Sequence, residues 1–210
     1  NQRINKFRNK SYVPHPRDVI FIDPTGLCNL GCLFCAYPKI KPGHTMDMDM
    51  FNDIVKQSLD LGFRYFFLTP MLGDAFMDKT IYQKLDILEN NTLVEKFSFY
   101  TNFVLASKIE KLCSYEKLHK LEISVYGLNK EDFQLVTTKD EKQFEKFLTN
   151  LRELRDMVLA DKYNGELHFS IRTKVDNNIL NSNNKQKLEI MLNKEGEVVE
   201  ILNSLKNKSR

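Results

Sequence analysis

The stretch Val19-Ile-Phe-Ile22-Asp23-Pro-Thr-Gly-Leu-Cys28-Asn-Leu-Gly-Cys32-Leu-Phe-Cys35-Ala-Tyr-Pro38 decides how the rest of the chain is read. It opens with four β-branched or aromatic residues, the composition of a short buried strand. Asp23, Pro24 and Gly26 then break that strand with turn chemistry. Three of the four cysteines in the chain follow within eight residues. If Val19–Ile22 is a strand, the thiols occupy the loop at its carboxyl end.

Working outward, similar short apolar runs recur at Tyr65–Leu68, Lys96–Tyr100, Leu121–Val125 and Leu167–Ile171. Each is near-continuously apolar or alternates briefly, as strands of a covered parallel sheet do. Helical patterns lie between them. Phe51, Ile54, Val55 and Leu59 share a face, with Asp47 or Asp49 available as a cap. Ile81, Leu85 and Leu88 form a second face, and Phe144, Phe147, Leu148, Leu151, Leu154 and Val158 a third. Such alternation predicts an α/β fold with a parallel sheet and right-handed crossovers. Curled, it becomes a partial (β/α)6 TIM-type barrel whose working residues lie at the strand C-termini.

The 210 residues suit one domain with a substantial core. A net charge of +3, spread among acidic residues, is mild for a nucleic-acid partner and reads as solvated surface. No run is apolar and long enough to span a bilayer and no signal-peptide pattern is present, so a cytoplasmic location and no membrane partner are expected. After about Asp176 the pattern gives way to Asn- and Lys-rich sequence. Lys187–Leu192 reads as helical, and Val198–Leu202 fits either a strand or a helix. The expected organisation is an N-terminal extension over 1–16, a core over 17–180, and a polar segment over 181–210 that completes or extends it. The chain begins at Asn1 rather than Met, which suggests a processed or truncated core.

A cysteine cluster in a reducing compartment points to metal or catalysis rather than disulfides. Three thiolates hold three irons of a cubane and leave the fourth without a protein ligand, open to a chelating substrate. Structural zinc wants four closed ligands, and neither His44 nor the distant Cys113 gives that spacing. A ferredoxin-like carrier wants four cysteines per cluster. A [4Fe–4S] cluster with one open iron is therefore the expected occupant.

The C-x3-C-x2-C spacing, the aromatic Phe34 before the third cysteine and the placement after the first strand resemble the radical S-adenosylmethionine (SAM) superfamily. The resemblance extends over about residues 17–176. It implies that Cys28, Cys32 and Cys35 ligate the cluster and that Phe34, or Tyr37 less directly, packs beside the adenine of SAM. Thr69-Pro-Met-Leu72-Gly73-Asp74 stands where the family shows Gly-Gly-Glu, a turn that holds the methionine amino group. Leu72 replaces the first Gly and Asp74 the Glu. Thr101-Asn102 is similar to the family's Thr-Asn-Gly, with Phe103 in place of the Gly. Ser124-Val-Tyr126-Gly127 matches a segment whose Ser reaches ribose or carboxylate, and Arg172 is suited to the methionine carboxylate.

The resemblance implies SAM as second cofactor, reductive cleavage to a 5′-deoxyadenosyl radical, and a flavodoxin- or ferredoxin-type reductant. It lies nearest the peptide-modifying, SPASM-type branch, although the auxiliary-cluster cysteines of that branch are absent here. A peptide substrate is the first expectation and a small metabolite the second. A non-catalytic Fe–S or electron-transfer module is the rival from another class. Cys113 is expected to be a small buried hydrophobe, His15, His119 and His168 to be isolated, and His44 to lie in a surface loop.

Overall fold

The computed structural model describes residues 14–15, 17–36, 43–172, 186, 191–193 and 195–206. Five strands, β1 (Val19–Ile22), β2 (Tyr65–Leu68), β3 (Lys96–Thr101), β4 (Leu118–Val125) and β5 (Glu166–Ile171), form one sheet in the order of the chain. All four pairings are parallel. In a doubly wound sheet the strand order reverses at a switch point. Here it never does, and repeated right-handed crossovers in one direction curl the sheet as in a TIM-type barrel. The α/β partial barrel expected from the sequence is what the chain forms.

Helices α1 (Met48–Asp60), α2 (Ile81–Asn90), α3 (Ile109–Cys113), α4 (Lys130–Thr137), α5 (Glu141–Leu159) and α6 (Glu197–Lys206) connect or flank the strands. Their starts follow local capping chemistry. Asp47 accepts from Met50 N, Asn129 from Asp132 N and Asp140 from Gln143 N, each supplying an acceptor to an otherwise orphaned helix amide. Val198–Leu202, ambiguous by periodicity, belongs to α6, where Val198, Val199, Ile201, Leu202 and Leu205 are buried. Most of Lys187–Leu192 lies outside the described residues. α4 has only three buried positions over eight residues and gives a weak pattern.

The period-two alternation of the strands separates two faces. Phe66, Leu68, Phe97, Phe99, Leu121 and Ile123 are buried in the hydrophobic cluster that the helices complete. The opposite face carries Phe21, Phe67, Ser98, Tyr100, Glu122 and Ser124, and Phe21 is 64% exposed. Phe67 joins Phe21 and Tyr100 in an aromatic stripe, with centroids 5.5 and 5.0 Å away. Lys120 pairs with Glu122 beside it. β4 begins three residues earlier than its apolar run suggests: Leu118 pairs with Phe97 and Lys120 with Ser98, the register shifting between them, and the half-buried His119 and Lys120 interrupt the apolar pattern there. Cys113 is buried, as expected of a small hydrophobe.

One ion pair lies fully in the interior. Lys84 of α2 and Asp78 are ion-paired at 2.5 Å with no exposed side-chain surface on either. The same ammonium donates to the carbonyl of Met46 and lies 5.7 Å from the Phe51 ring centroid. Asp78 also accepts from the amide and hydroxyl of Thr80 at the start of α2. The pair therefore ties the segment entering α1 to α2.

Candidate cluster and cofactor site

The loop after β1 is held from three sides. Thr69 N donates to Ile22 O across β1 and β2, and the Thr25 and Thr45 hydroxyls are 2.9 Å apart. Gly26 lies so close to Gly43 that a Cβ on either would sit 2.7 Å from the other's Cα. From the far side, Gly31 N and Leu33 N donate to Thr137 O and Val136 O at the end of α4. Thr138 Oγ1 donates to Gly31 O. α4 thus fixes the cysteine loop through its last turn. Sequence periodicity carries no sign of this, because the bonds are main-chain carbonyls at a helix terminus.

The turn after β2 packs directly under that loop. Asp74 N donates to Leu27 O at 2.7 Å, and a Cβ at Gly73 would lie 2.2 Å from Thr25 O. Only glycine permits that approach. Asp74 is buried, and its carboxylate accepts from Phe76 N, Thr101 Oγ1 and Asn102 N. Burial raises its pKa, and these three donors oppose the shift.

The turn after β3 is equally constrained. Asn102 Oδ1 accepts from Val104 N at 3.0 Å, which fixes its amide orientation. Its Nδ2 then faces Asn29 Oδ1 at 2.9 Å and Cys28 Sγ at 3.9 Å. Phe103 has φ 61°, in the left-handed region. A side chain costs about 1–2 kcal/mol there, which is the physical reason for a Gly in the motif this turn resembles. The conformation is held by full burial of Phe103 and by Asn150 Nδ2, which donates to the carbonyls of Phe103 and Val104.

These turns open onto one cavity of about 270 Å³ at the C-terminal ends of the strands. Cys28, Cys32 and Cys35 line it together with Phe34. Leu72, Gly73 and Asp74 border it from the second turn, Asn102 from the third, and Ser124 and Arg172 from β4 and the end of β5. Tyr37 lies outside the described residues. Two aromatic residues not assigned a contact from sequence, Tyr100 and Tyr126, also line the cavity. Tyr126 stands 5.8 Å from Phe34, ring centroid to centroid, and burial pushes its phenol up to about 12.

The electrostatics of the thiols define what they can hold. Burial pushes Cys28 up to about 11, opposed by the Leu30 amide and reinforced by Asp74 and Cys35. Burial pushes Cys32 up to about 12, with Cys28 and Cys35 adding to the effect and Arg172 opposing it. Three mutually repelling thiolates in one buried cavity require a strongly cationic occupant, because metal ligation needs the deprotonated form. Among the described residues, no three Cys, His, Asp or Glu side chains converge closely enough to share one metal ion. Asn29 Nδ2 is buried in the same loop with no hydrogen-bond partner. An all-thiol donor set beside an orphaned donor fits a sulfur-rich, anionic-faced group.

Comparison with known proteins agrees with this geometry. Residues 22–164, more than half of the chain, match the model of the Radical SAM superfamily. A GTP 3′,8-cyclase of Desulforamulus reducens is 26% identical over 120 residues, covering 55% of this chain and 36% of that protein. SuiB of Streptococcus suis, solved with its precursor peptide SuiA, superposes with a TM-score of 0.62 at 16% identity. That match covers 83% of this chain and 36% of SuiB. BtrN, solved with AdoMet and 2-DOIA, superposes with a TM-score of 0.54 at 13% identity, covering 73% and 56%. At such identities the structural likeness establishes the fold alone. The chain spans about a third of the length of the cyclase and of SuiB. Family membership implies SAM and an iron–sulfur cluster as cofactors. With three thiols in the first βα loop, and a family match that runs from the end of β1 through β2, β3 and β4, the chain belongs to the radical SAM superfamily.

Proposed function

We propose that this chain binds a [4Fe–4S] cluster through Cys28, Cys32 and Cys35 and seats SAM against it for reductive cleavage. The observation that carries this reading is the meeting of the three thiols and four strand-end turns around one cavity. When bound, cluster and SAM together supply a 5′-deoxyadenosyl radical that abstracts hydrogen from a substrate.

The chain's own residues bind and orient. Gly73 and its neighbours offer main-chain carbonyls to an ammonium group, since the close approach to Thr25 and Leu27 fixes that backbone. Arg172, placed on the cavity wall, offers two parallel donors to a carboxylate. Ser124 supplies a hydroxyl from the floor at β4. Phe34 and Tyr126 form an aromatic pair suited to stacking a purine. Leu72 adds apolar wall and excludes water. Asp74 shapes the site by holding Thr101 and Asn102 rather than by offering a free oxygen.

A substrate belongs on the concave face, where the Phe21–Phe67–Tyr100 stripe lies beside Lys120 and Glu122. A peptide is the first reading, in keeping with the peptide bound by SuiB. A small metabolite is the second, supported by the similarity to a GTP 3′,8-cyclase. We assign the core to residues 17–180 and electron supply to a flavodoxin- or ferredoxin-type donor. Among the described residues no helix is long and apolar enough to cross a membrane. Iron and labile-sulfide content after anaerobic reconstitution, together with equilibrium binding of SAM, tests this reading. The triple variant C28A/C32A/C35A is expected to lose all bound iron, and iron retained by it would refute the assigned ligands.

A further inference from the structure

Resting on the cluster reading above, we infer that Asn29 and Asn102 form a side-chain amide clamp on the Cys28 corner of the cluster. They donate hydrogen bonds to its sulfur atoms and set its potential, so Asn102 is a positioning residue and not a SAM contact. The valences of Asn102 are the first ground. Its Oδ1 is taken by Val104 N, and its Nδ2 is directed at Asn29 Oδ1 and Cys28 Sγ. Its own amide is held by Asp74 at 2.6 Å, so the side chain has little freedom to turn toward another ligand.

Asn29 supplies the second, independent ground. Because its Oδ1 accepts from Asn102, its Nδ2 is fixed on the opposite branch of the amide. That NH2 group is buried and has no partner. A buried donor left without an acceptor is destabilising, so such a group marks a place where an acceptor is expected. No thiol sulfur is within its reach, and its place, adjacent in sequence to Cys28 and bridged to Asn102, makes a sulfide of the bound cluster the acceptor assigned to it. Leu30 N already donates to Cys28 Sγ at 3.5 Å. Cys28 is thus the corner on which main-chain and side-chain donors gather.

Hydrogen bonds to cluster sulfurs stabilise the more negative, reduced state and raise the reduction potential. The clamp therefore eases loading of the electron that SAM cleavage consumes. It also couples the cluster to the SAM-binding turn, since Asp74 holds the amide of Asn102 and its own amide bonds to Leu27 beside the cysteine loop.

The test is an EPR-monitored redox titration of the reconstituted full chain without SAM, comparing wild type with Asn29→Ala and Asn102→Ala. Both variants are expected to shift the cluster midpoint to more negative potential, with the double variant shifting less than the sum because Asn102 orients Asn29. SAM affinity, measured separately by equilibrium dialysis, is expected to be unchanged in Asn29→Ala. Midpoints equal to wild type in both variants would overturn the inference. So would an unshifted midpoint with tenfold weaker SAM binding in Asn102→Ala. Should Asn102→Ala fail to fold by circular dichroism, Asn29→Ala in the half-buried loop carries the decision alone. A wild-type protein that assembles no cluster would instead remove the function reading itself, so the two failures are distinct.

Discussion

The main-chain amide of Asn102 donates to the carboxylate of Asp74 at 2.6 Å, joining the turns after β2 and β3 across 28 residues of sequence. Phe76 N and Thr101 Oγ1 share the same carboxylate. One buried acidic group thus sets the mutual position of two turns that line the cofactor cavity.

Asp74→Asn tests that role. A neutral amide retains one acceptor oxygen, so either Phe76 N or Asn102 N faces an NH2 group and is left unpaired. The expected cost is about 1–3 kcal/mol of unfolding free energy, read from urea denaturation. An unchanged midpoint would show that the carboxylate does not organise the turns.

Gly73→Ala places a methyl 2.2 Å from Thr25 O and 2.8 Å from Leu27 O. Both neighbours are backbone and cannot swing away, so the turn must separate from the cysteine loop. SAM binding is expected to weaken at least tenfold, about 1.4 kcal/mol, while Gly43→Ala, in the same loop but off the SAM cavity, disturbs chiefly stability. Equilibrium dialysis of both variants separates these effects. Wild-type SAM affinity in Gly73→Ala would contradict the assigned contact.

Lys84→Met leaves Asp78 buried without its cation. Breaking a buried pair from one side costs about 3–5 kcal/mol, and the carbonyl of Met46 loses its donor as well. Thermal unfolding of the variant is expected well below wild type. A change within experimental error would mean that water replaces the ammonium without cost.

How much of this was legible in the sequence follows from the range of each interaction. The five strands and the helices around Phe51, Ile81 and Phe144 were readable because their apolar periods are local. The cysteine spacing was readable for the same reason. The Asn29–Asn102 bridge and the Lys84–Asp78 pair were not, since each joins polar residues from separate turns or helices whose partner no period marks. Residues 136–137 at the end of α4 hold the cysteine loop through their main-chain carbonyls, so they gave no signal at all. Asn102 was expected from its motif to help seat SAM; in the structure it lines the cavity with its side chain directed toward Cys28 and Asn29.

α6 docks on α5 partly through Arg152, whose guanidinium holds Glu197 by two bonds, one of 2.6 Å to Oε2. The Arg152 hydrogen bond holds the Glu197 carboxyl below its ordinary value of 4.5. A lowered carboxyl contributes stability that is present above 4.5 and is lost as pH falls through the folded value. Because both side chains are well exposed, the contribution is small and screened by salt. Amide exchange across Glu197–Lys206 is expected to quicken as pH drops below 4.5, beyond the intrinsic pH dependence, and Arg152→Met to remove that excess. Equal acid sensitivity in both proteins would place the effect elsewhere.

The most direct test of the account is EPR of the anaerobically reconstituted, dithionite-reduced protein with and without SAM, followed by product analysis on the same sample. The expected result is a [4Fe–4S]⁺ signal that SAM perturbs, accompanied by 5′-deoxyadenosine. A cluster signal indifferent to SAM, with no 5′-deoxyadenosine formed, would contradict it and favour an electron-transfer module.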